Sequence, residues 1–311
     1  MNVLITGCHG FVGTNLINTL RTNHTIYGLD IVSPDKVGIL KTYSWKDLET
    51  NALPDIDVII HLAGKAHDTK NQSEASVYFE INTGLTKKTY DYFLKSKASK
   101  FIFFSSVKAA ADCVLASALT EDVIPSPKGP YGESKIAAEA YILANKPLEA
   151  DKLVYILRPC MIHGPGNKGN LNLLFKVVSL GLPWPLGAFE NRRSFTSVDN
   201  LCFVIGKLIS NVVPSGIYNI GDDEALSTNE LIEVMCKTMN RKSRIWKINR
   251  RLMEGFAKIG TWIHFPLNSE RLRKLTENYV VANEKLKMSL HIEKMPLSAT
   301  DGLIKTFRSF Q

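Results

Sequence analysis

The sequence lacks the features that mark a membrane-spanning or disulfide-stabilised protein. No apolar run approaches the ~20 residues that cross a bilayer, and the nearest one, Leu201 to Ile209, contains Lys207. The five cysteines form no CxxC pair, and their odd number fits reduced thiols better than a disulfide framework. No basic segment followed by an apolar one opens the chain. We therefore expect a cytoplasmic protein without a signal peptide or an integral membrane segment.

Concentrated basic sequence and metal-binding spacings are absent too. The net charge is +8, but the basic residues are scattered, with only short clusters such as Arg241–Arg244 and Arg271–Lys274. This pattern argues against nucleic acid as a partner. His61, His67 and His163 match no zinc-site spacing, so we predict no metal site.

The 311 residues are 45% hydrophobic and 22% charged, which is typical of a globular protein that buries a large core. Short apolar runs predict strands at Val3–Ile5, Thr25–Leu29, Val58–Leu62, Phe101–Phe104 and Val154–Leu157. Amphipathic stretches predict helices at Val12–Thr22, Ser73–Ser96 and Tyr131–Asn145. Alternating strands and helices favour an α/β fold with a doubly wound parallel sheet.

The alternation loosens after about residue 160. The later segments predict helices at Asp199–Asn211, Thr228–Met239 and Ile248–Ile263, and a strand at Ile217–Ile220. We predict a dinucleotide-binding domain over residues 1–165 and a smaller, interleaved C-terminal α/β substrate domain over 166–311. Strands near 155 and 217 are also candidates for the first sheet. The predicted helix Ile248–Ile263 is both basic and apolar. We interpret it as packed on the smaller domain, with contact to a membrane surface as the alternative.

A glycine-rich turn follows the first predicted strand. The segment Gly7-Cys8-His9-Gly10-Phe11-Val12-Gly13 has GxxGxxG spacing and opens a helix, whose free N–H groups suit a pyrophosphate. Asp30 ends the second strand, where a carboxylate accepts bonds from a ribose and repels a 2′-phosphate. NAD is therefore favoured over NADP. Taken alone, the glycines also fit a plain turn, and Asp30 a solvated strand end.

Acid–base chemistry is indicated by Tyr131 and Lys135, which lie four residues apart and share a helix face. An ammonium beside a phenol favours phenolate, so Lys135 is expected to lower the pKa of Tyr131. Ser105 and Ser106 follow a buried strand, and either hydroxyl would suit the oxygen that the tyrosine serves. By itself the Tyr-Lys pair also fits an exposed helix surface.

Together these motifs resemble the extended short-chain dehydrogenase/reductase family, in its group of NAD-dependent nucleotide-sugar epimerases, dehydratases and 4-ketoreductases. Further matching segments are His61-Leu62-Ala63-Gly64, Asn82-Thr83-Gly84, Arg158-Pro159, Gly164-Pro165-Gly166, Arg193-Ser194-Phe195 and Val198-Asp199. The resemblance covers nearly the whole chain and implies a Rossmann domain with a small substrate domain.

The resemblance implies a role for each matching residue. The expected catalytic residues are Ser106, Tyr131 and Lys135. The expected cofactor-binding residues are Gly7, Gly10, Phe11, Val12, Gly13, Asp30, Asp47, Leu48, Ala63, Gly64, Tyr131, Lys135 and Pro159. The expected substrate-binding residues are Ser106, Asn170, Leu171, Arg193 and Arg271, with Arg273 as an alternative to Arg271. Asn82 is expected to be structural.

Two residues indicate which reaction within the family the sequence favours. Val107 and Lys108 stand where the dehydratase branch carries an Asp-Glu pair, which disfavours 4,6-dehydration. We predict a UDP-sugar 4-epimerase that uses NAD, acts on surface-polysaccharide sugars and forms a homodimer. A UDP-4-keto-sugar reductase is the alternative, because both reactions use the same hydride and the same tyrosine. A catalytically silent cofactor-binding sensor is disfavoured, since it has no need for all three catalytic residues.

Overall fold

The computed structural model describes residues 1–66, 74–114, 116–167, 169–262 and 268–311. The strands are β1 Asn2–Thr6, β2 Thr25–Leu29, β3 Lys41–Tyr43, β4 Val58–His61, β5 Lys100–Phe104, β6 Leu153–Pro159, β7 Met161–His163, β8 Phe195–Ser197 and β9 Gly216–Ile220. The helices before β7 are α1 Phe11–Leu20, α2 Trp45–Glu49, α3 Ala75–Tyr78, α4 Leu85–Lys95, α5 Val107–Ala110 and α6 Pro130–Ala144. The later helices are α7 Asn170–Ser179, α8 Val198–Ser210, α9 Thr228–Thr238, α10 Arg250–Trp262, α11 Ser269–Thr276, α12 Glu284–Leu290 and α13 Ala299–Arg308.

Within the described residues, seven strands form one sheet in the order β3-β2-β1-β4-β5-β6-β9. Every neighbouring pair is parallel. The chain builds outward from β1 to β3 and then from β4 to β9, so the order reverses between β1 and β4. Ligands of such sheets bind beyond the carboxyl ends of the strands at this reversal. The predicted doubly wound parallel sheet is confirmed, and β6 and β9 both belong to it.

The sheet is covered on both faces, which explains its continuous apolar strands. Val3 and Ile5 belong to one core cluster with α1, α8 and α12. Leu4, on the opposite face of the same strand, belongs to another cluster with α4 and α6. Strands β4 and β5 are buried along their whole length, as expected for strands with helices above and below.

The second half of the chain contributes to two bodies. Its α8, β9 and α12 pack with the main sheet. A separate core joins α7, α9, α10 and α13, and β7 pairs with β8 beside it. This smaller unit is interleaved with the main sheet along the chain, in agreement with the predicted fold class.

The segment predicted as one helix over Ser73–Ser96 is divided. Ser73 lies outside the described residues, and a π-helical turn, Phe79–Gly84, separates α3 from α4. Such turns often occur at functional sites, and this one carries Asn82, whose carbonyl accepts a bond from the Thr86 hydroxyl at 2.6 Å. Of the predicted helix Ile248–Ile263, α10 covers the part from Arg250 to Trp262, and residue 263 is outside the described range. Among the described residues, every helix is too short or too polar to cross a membrane.

A buried ion pair joins α6 to β6. Removing one of its two charges is expected to lower the free energy of unfolding by a large amount. Glu139 accepts bonds from Arg158 Nε at 3.0 Å and Nη2 at 2.6 Å, and both side chains are almost fully buried. Glu139→Ala should cost about 3–5 kcal/mol of unfolding free energy, because it leaves a buried guanidinium without its counter-charge. Urea unfolding measures this loss. The double variant Glu139→Leu/Arg158→Met should lose less, since no unpaired charge remains.

The matched control is Glu233→Ala, which removes an exposed carboxylate from helix α9 and should change stability by less than ~0.5 kcal/mol. Equal losses for Glu139→Ala and Glu233→Ala would mean that the buried pair contributes nothing.

Candidate functional site

A cavity of about 420 Å³ opens at the carboxyl edge of the sheet, next to the point where the strand order reverses. It runs from the glycine turn after β1 past the ends of β5 and β6 to the smaller unit. The predicted site residues that line it are Gly7, Gly10, Phe11, Val12, Gly13, Gly64, Ser106, Tyr131, Lys135, Pro159, Asn170 and Arg193. Residues predicted for cofactor and for substrate therefore face one cavity.

The glycine turn leaves no room for side chains. Gly7 has a φ of +67°, and a Cβ on Gly13 would meet the Gly7 carbonyl oxygen at 2.7 Å and Cys8 Cα at 2.8 Å. The first turn of α1 has no acidic residue, and Gly10 caps it without a side-chain hydrogen bond. Its N–H groups and positive dipole end therefore face the cavity, as an anionic diphosphate requires.

Asp30 stands beside this turn at the end of β2. Its carboxylate accepts the His9 N–H at 3.1 Å and the Ile31 N–H at 2.8 Å. Lys36 lies across the turn and donates to the Cys8 carbonyl oxygen at 2.9 Å. Ligand atoms of Cys8, His9 and Asp30 lie within 4.8 Å of one another, but the ammonium of Lys36 beside them opposes a bound cation.

Asp47 and Leu48, both predicted to bind the cofactor, lie away from the cavity wall. The Asp47 carboxylate accepts the Ser44 N–H and hydroxyl in a capping box, and these bonds lower its pKa. Leu48 is buried in the core under the sheet. Their contact with the cofactor stays a prediction.

The loop after β4 is tied to the predicted catalytic helix by Asn82. Its amide accepts the Lys65 N–H at 2.7 Å and donates to the Lys65 carbonyl at 3.1 Å and the Ser134 hydroxyl at 2.9 Å. The Thr6 hydroxyl holds the Ala63 N–H at 3.0 Å. A Cβ on Gly64 would lie 2.9 Å from Asn82 Oδ1 and 3.1 Å from the Lys135 ammonium, so a larger residue would have to displace these two side chains. The bonds of Asn82 join the loop after β4 to α6, which is the kind of structural role predicted for this residue.

The Tyr131, Ser106 and Lys135 side chains converge where α6 passes the end of β5. Tyr131 and Ser106 line the same cavity, and the Ser106 hydroxyl is near enough to lower the pKa of the tyrosine. Ser106 also caps α5 by accepting the Lys108 N–H at 3.2 Å. The Lys135 ammonium donates to the Phe104 carbonyl oxygen at 2.8 Å. Pro130 at the first turn of α6 fixes where the helix begins and hence which face carries the pair. Ser106 contacts the tyrosine, whereas Ser105 bonds to Glu139 behind it.

The pKa of Tyr131 differs from the sequence-based expectation. Burial raises it above its ordinary value, and the bond to Ser106 offsets only part of that rise. Burial also lowers the pKa of Lys135 to about 8, while Glu139 acts in the opposite direction. The expected lowering of the tyrosine pKa by Lys135 is therefore not found, and burial of the phenol raises this pKa instead.

The substrate side of the cavity is formed by the smaller unit. Asn170 begins α7, whose N-terminus faces the cavity and has no side-chain cap at Gly169. Leu171 is buried in the second core. Arg193 lines the cavity and donates to the Lys274 carbonyl oxygen.

Neither Arg271 nor its alternative Arg273 lines the cavity, so substrate binding by either residue stays a prediction. Arg271 is exposed on α11 and is not part of the cavity wall. Arg273 approaches Asp112 at 3.8 Å, and Asp112 in turn contacts the cavity residue Lys108 at 3.3 Å.

Tyr279 and Lys108 are among the cavity residues that were not identified as site residues from the sequence. Tyr279 is buried, and its hydroxyl donates to the Ala111 carbonyl oxygen at 2.7 Å. The Lys108 ammonium lies 4.5 Å from the centre of the Tyr279 ring. Tyr279 carried no local motif, and only the fold brings it to this wall. The sequence showed that Lys108 stands where the dehydratase branch carries an acidic residue, but it did not show that Lys108 lines the cavity.

The histidines hold structural hydrogen bonds. His61 lies between the hydroxyls of Thr6 at 2.8 Å and Thr86 at 3.0 Å, and burial lowers its pKa to about 3. His163 bonds to Thr306 at 2.9 Å. His67 lies outside the described residues. Cys160 is buried against the cavity, and burial raises its pKa, which opposes a nucleophilic role.

The glycine turn yields a test of the dinucleotide site. Gly13→Ala should weaken NADH binding by at least about tenfold, because the new methyl group displaces the Cys8 backbone from the anion-binding turn. Fluorescence titration measures the affinity. Gly206→Ala, within α8, meets nothing within 4 Å and serves as the helical control. Unchanged NADH affinity in Gly13→Ala would place the dinucleotide elsewhere.

The chain is similar in sequence to known proteins of one family. A family model described as NAD dependent epimerase/dehydratase family matches residues 3–221. UDP-glucose 4-epimerase from Vibrio cholerae is 30% identical over 260 residues, which cover 79% of this chain and 78% of that protein. An Escherichia coli O157:H7 enzyme named N-acetyl-alpha-D-glucosaminyl-diphospho-ditrans,octacis-undecaprenol 4-epimerase is 29% identical, over 78% of this chain and 73% of that protein.

Solved structures show the same fold. UDP-glucose 4-epimerase from Thermotoga maritima, solved with UDP-glucose, superposes with a TM-score of 0.76 at 22% identity, covering 100% of this chain and 98% of the other. The predicted family and its nicotinamide cofactor are confirmed by the family match over most of the chain. The protein belongs to the NAD-dependent epimerase/dehydratase family and is an enzyme of that family.

Proposed function

We propose that the protein is a 4-epimerase that acts at C4 of a UDP-hexose used for surface polysaccharide. The observation that carries this proposal is the convergence of Tyr131, Ser106 and Lys135 on one cavity, which runs from the glycine turn to Arg193. A nicotinamide at the glycine turn and a sugar diphosphate near Arg193 would meet at this tyrosine.

Each of the three side chains has a distinct task at the sugar. Tyr131 takes the proton from the sugar O4 and returns it, and Ser106 orients that oxygen by hydrogen bonding. Lys135, held by its bond to the Phe104 carbonyl oxygen, lines the cavity with Tyr131 and would hold the nicotinamide ribose. NAD, when bound, would supply the acceptor and donor of the C4 hydride. An epimerase must also let the 4-keto sugar turn before the hydride returns.

Dehydration is opposed by the residues after Ser106. Val107 is buried, and the Lys108 ammonium donates to the Asp112 carbonyl oxygen at 2.7 Å. A cation at this position cannot protonate a leaving hydroxyl as a carboxylic acid does. The cavity wall therefore favours a reaction confined to C4.

A 4-ketoreductase is the second candidate, and one observation favours it. Burial raises the pKa of Tyr131 and so favours the protonated phenol. That form donates a proton to a ketone oxygen, as reduction of a 4-keto sugar requires.

A UDP-linked substrate is supported by two features of the smaller unit. The N-terminus of α7 and the guanidinium of Arg193 line the same end of the cavity and both suit a diphosphate. The relatives named above include enzymes of UDP-glucose.

Removing the tyrosine oxygen tests the chemistry. Tyr131→Phe should keep the fold and NADH affinity and reduce turnover by a factor on the order of 10²–10⁴, because only the proton path is lost. Ser106→Ala should cost less, since the proton donor remains. Product sugars from a panel of UDP-hexoses and 4-keto UDP-sugars are resolved by chromatography. Near wild-type turnover in Tyr131→Phe would overturn the mechanism.

Removing Arg193 tests the diphosphate position. Arg193→Ala should weaken UDP binding by roughly 1.5–3 kcal/mol, the scale of a charge-assisted bond, as measured by calorimetry. Arg192→Ala is the control, because its guanidinium contacts Ala225 and Glu230 and lies outside the cavity lining. If both variants bind UDP like the wild type, the diphosphate is held by other residues.

A further inference from the structure

Helix α10 is apolar on two adjacent sides, and only one of them is packed. Met253, Ala257 and Gly260 are buried against the second core. The four exposed apolar residues cover an arc of about 120° at ~100° per residue. Their exposed fractions are 59% for Leu252, 62% for Phe256, 58% for Ile259 and 83% for Trp262.

Exposed apolar residues also occur in the segment that precedes the helix. Trp246, also exposed, donates its backbone N–H to the Trp184 carbonyl oxygen at 2.8 Å, so the segment leading into α10 lies along the chain that follows α7. Leu182 and Val177 are exposed beside it and line a second cavity of about 660 Å³. Exposed patches of this kind mark sites of contact with other molecules.

The same segment holds most of the net positive charge of the chain. Residues 241–262 contain seven Lys or Arg and one Glu, a net charge of +6, against +8 for all 311 residues. All seven cations are exposed: Arg241, Lys242, Arg244, Lys247, Arg250, Arg251 and Lys258. By helical spacing, Arg251 and Lys258 lie at the edge of the exposed apolar arc.

We propose that this face, formed by Trp246 and the exposed side of α10 with its basic edge, docks on an anionic phospholipid surface. Aromatic and aliphatic side chains enter the boundary between headgroups and acyl chains, while the flanking cations remain among the phosphates. The two exposed tryptophans suit that boundary. Among the described residues no helix is suited to span a bilayer, so the contact is with one membrane surface.

Charge argues against the other occupants of this face. In a two-fold dimer the segment would face its own copy, and two segments of charge +6 would repel each other. Nucleic acid would satisfy the cations but would leave Leu252, Phe256 and Ile259 in water. An anionic membrane satisfies both the cations and the apolar residues. This docking goes beyond the proposed sugar chemistry and is independent of it.

The test is flotation of the full-length protein with vesicles. It should bind vesicles of phosphatidylglycerol and phosphatidylcholine, bind pure phosphatidylcholine much less, and dissociate as salt is raised. Its tryptophan fluorescence should shift to the blue on binding, because Trp246 and Trp262 leave water. Phe256→Ser/Trp262→Ser and Arg251→Glu/Lys258→Glu should each reduce the partition coefficient on the order of tenfold or more.

Matched control variants change exposed residues far from this face. Ile124→Ser/Leu148→Ser alters two exposed apolar side chains, and Lys95→Glu/Lys146→Glu reverses two exposed charges. Both should bind vesicles like the wild type, and thermal unfolding verifies that every variant is folded. The proposal is overturned if the wild type does not bind anionic vesicles, or if the α10 variants bind as well as the controls. It is also overturned if the wild type is a dimer without affinity for vesicles and Phe256→Ser/Trp262→Ser converts this dimer to monomers.

Discussion

The parallel pairing of the strands is the constraint on which the site depends. Because every neighbouring pair in the main sheet is parallel, the strands end at the same edge and deliver their following residues to one cavity. These residues are the glycine turn after β1, Gly64 after β4, Ser106 after β5 and Pro159 at the end of β6. Asp30, after β2, lies beside the glycine turn. Helix α6 passes this edge and adds Tyr131 and Lys135 to the cavity wall.

Helix α6 crosses it with side chains at four-residue intervals. Tyr131 faces the cavity, Lys135 bonds to the end of β5, and Glu139 pairs with Arg158 beneath the sheet edge. Each charge taken from water along this row has a hydrogen-bonding partner, which offsets the cost of burial. The same bonds fix the rotation of the helix and therefore the position of the phenol. Asn82 extends this fixation to the loop after β4.

The sequence predicted the parts that depend on local pattern. Apolar runs located β1, β2, β4, β5 and β6, and the four-residue spacing placed Tyr131 and Lys135 on one face. It did not predict α7, because glycines and prolines on either side obscured the periodicity, nor the contact of Tyr279 with Ala111, which joins distant parts of the chain. It also gave the wrong direction for the Tyr131 pKa, since burial of the phenol depends on tertiary packing. Buried Glu139 lies four residues after Lys135 on α6. This spacing was the sequence signal from which its place on the same helix face could have been predicted.

In the proposed reaction, hydride moves at C4 of a nucleotide sugar beside Tyr131. A UDP-hexose that carries deuterium at C4 would be incubated with the protein and NAD, and the label followed by mass spectrometry and NMR. Deuterium should stay on C4 of the inverted sugar or move to the nicotinamide. Inversion at C4 with loss of the deuterium to water would contradict this mechanism, because the proton and not the hydride would then have moved.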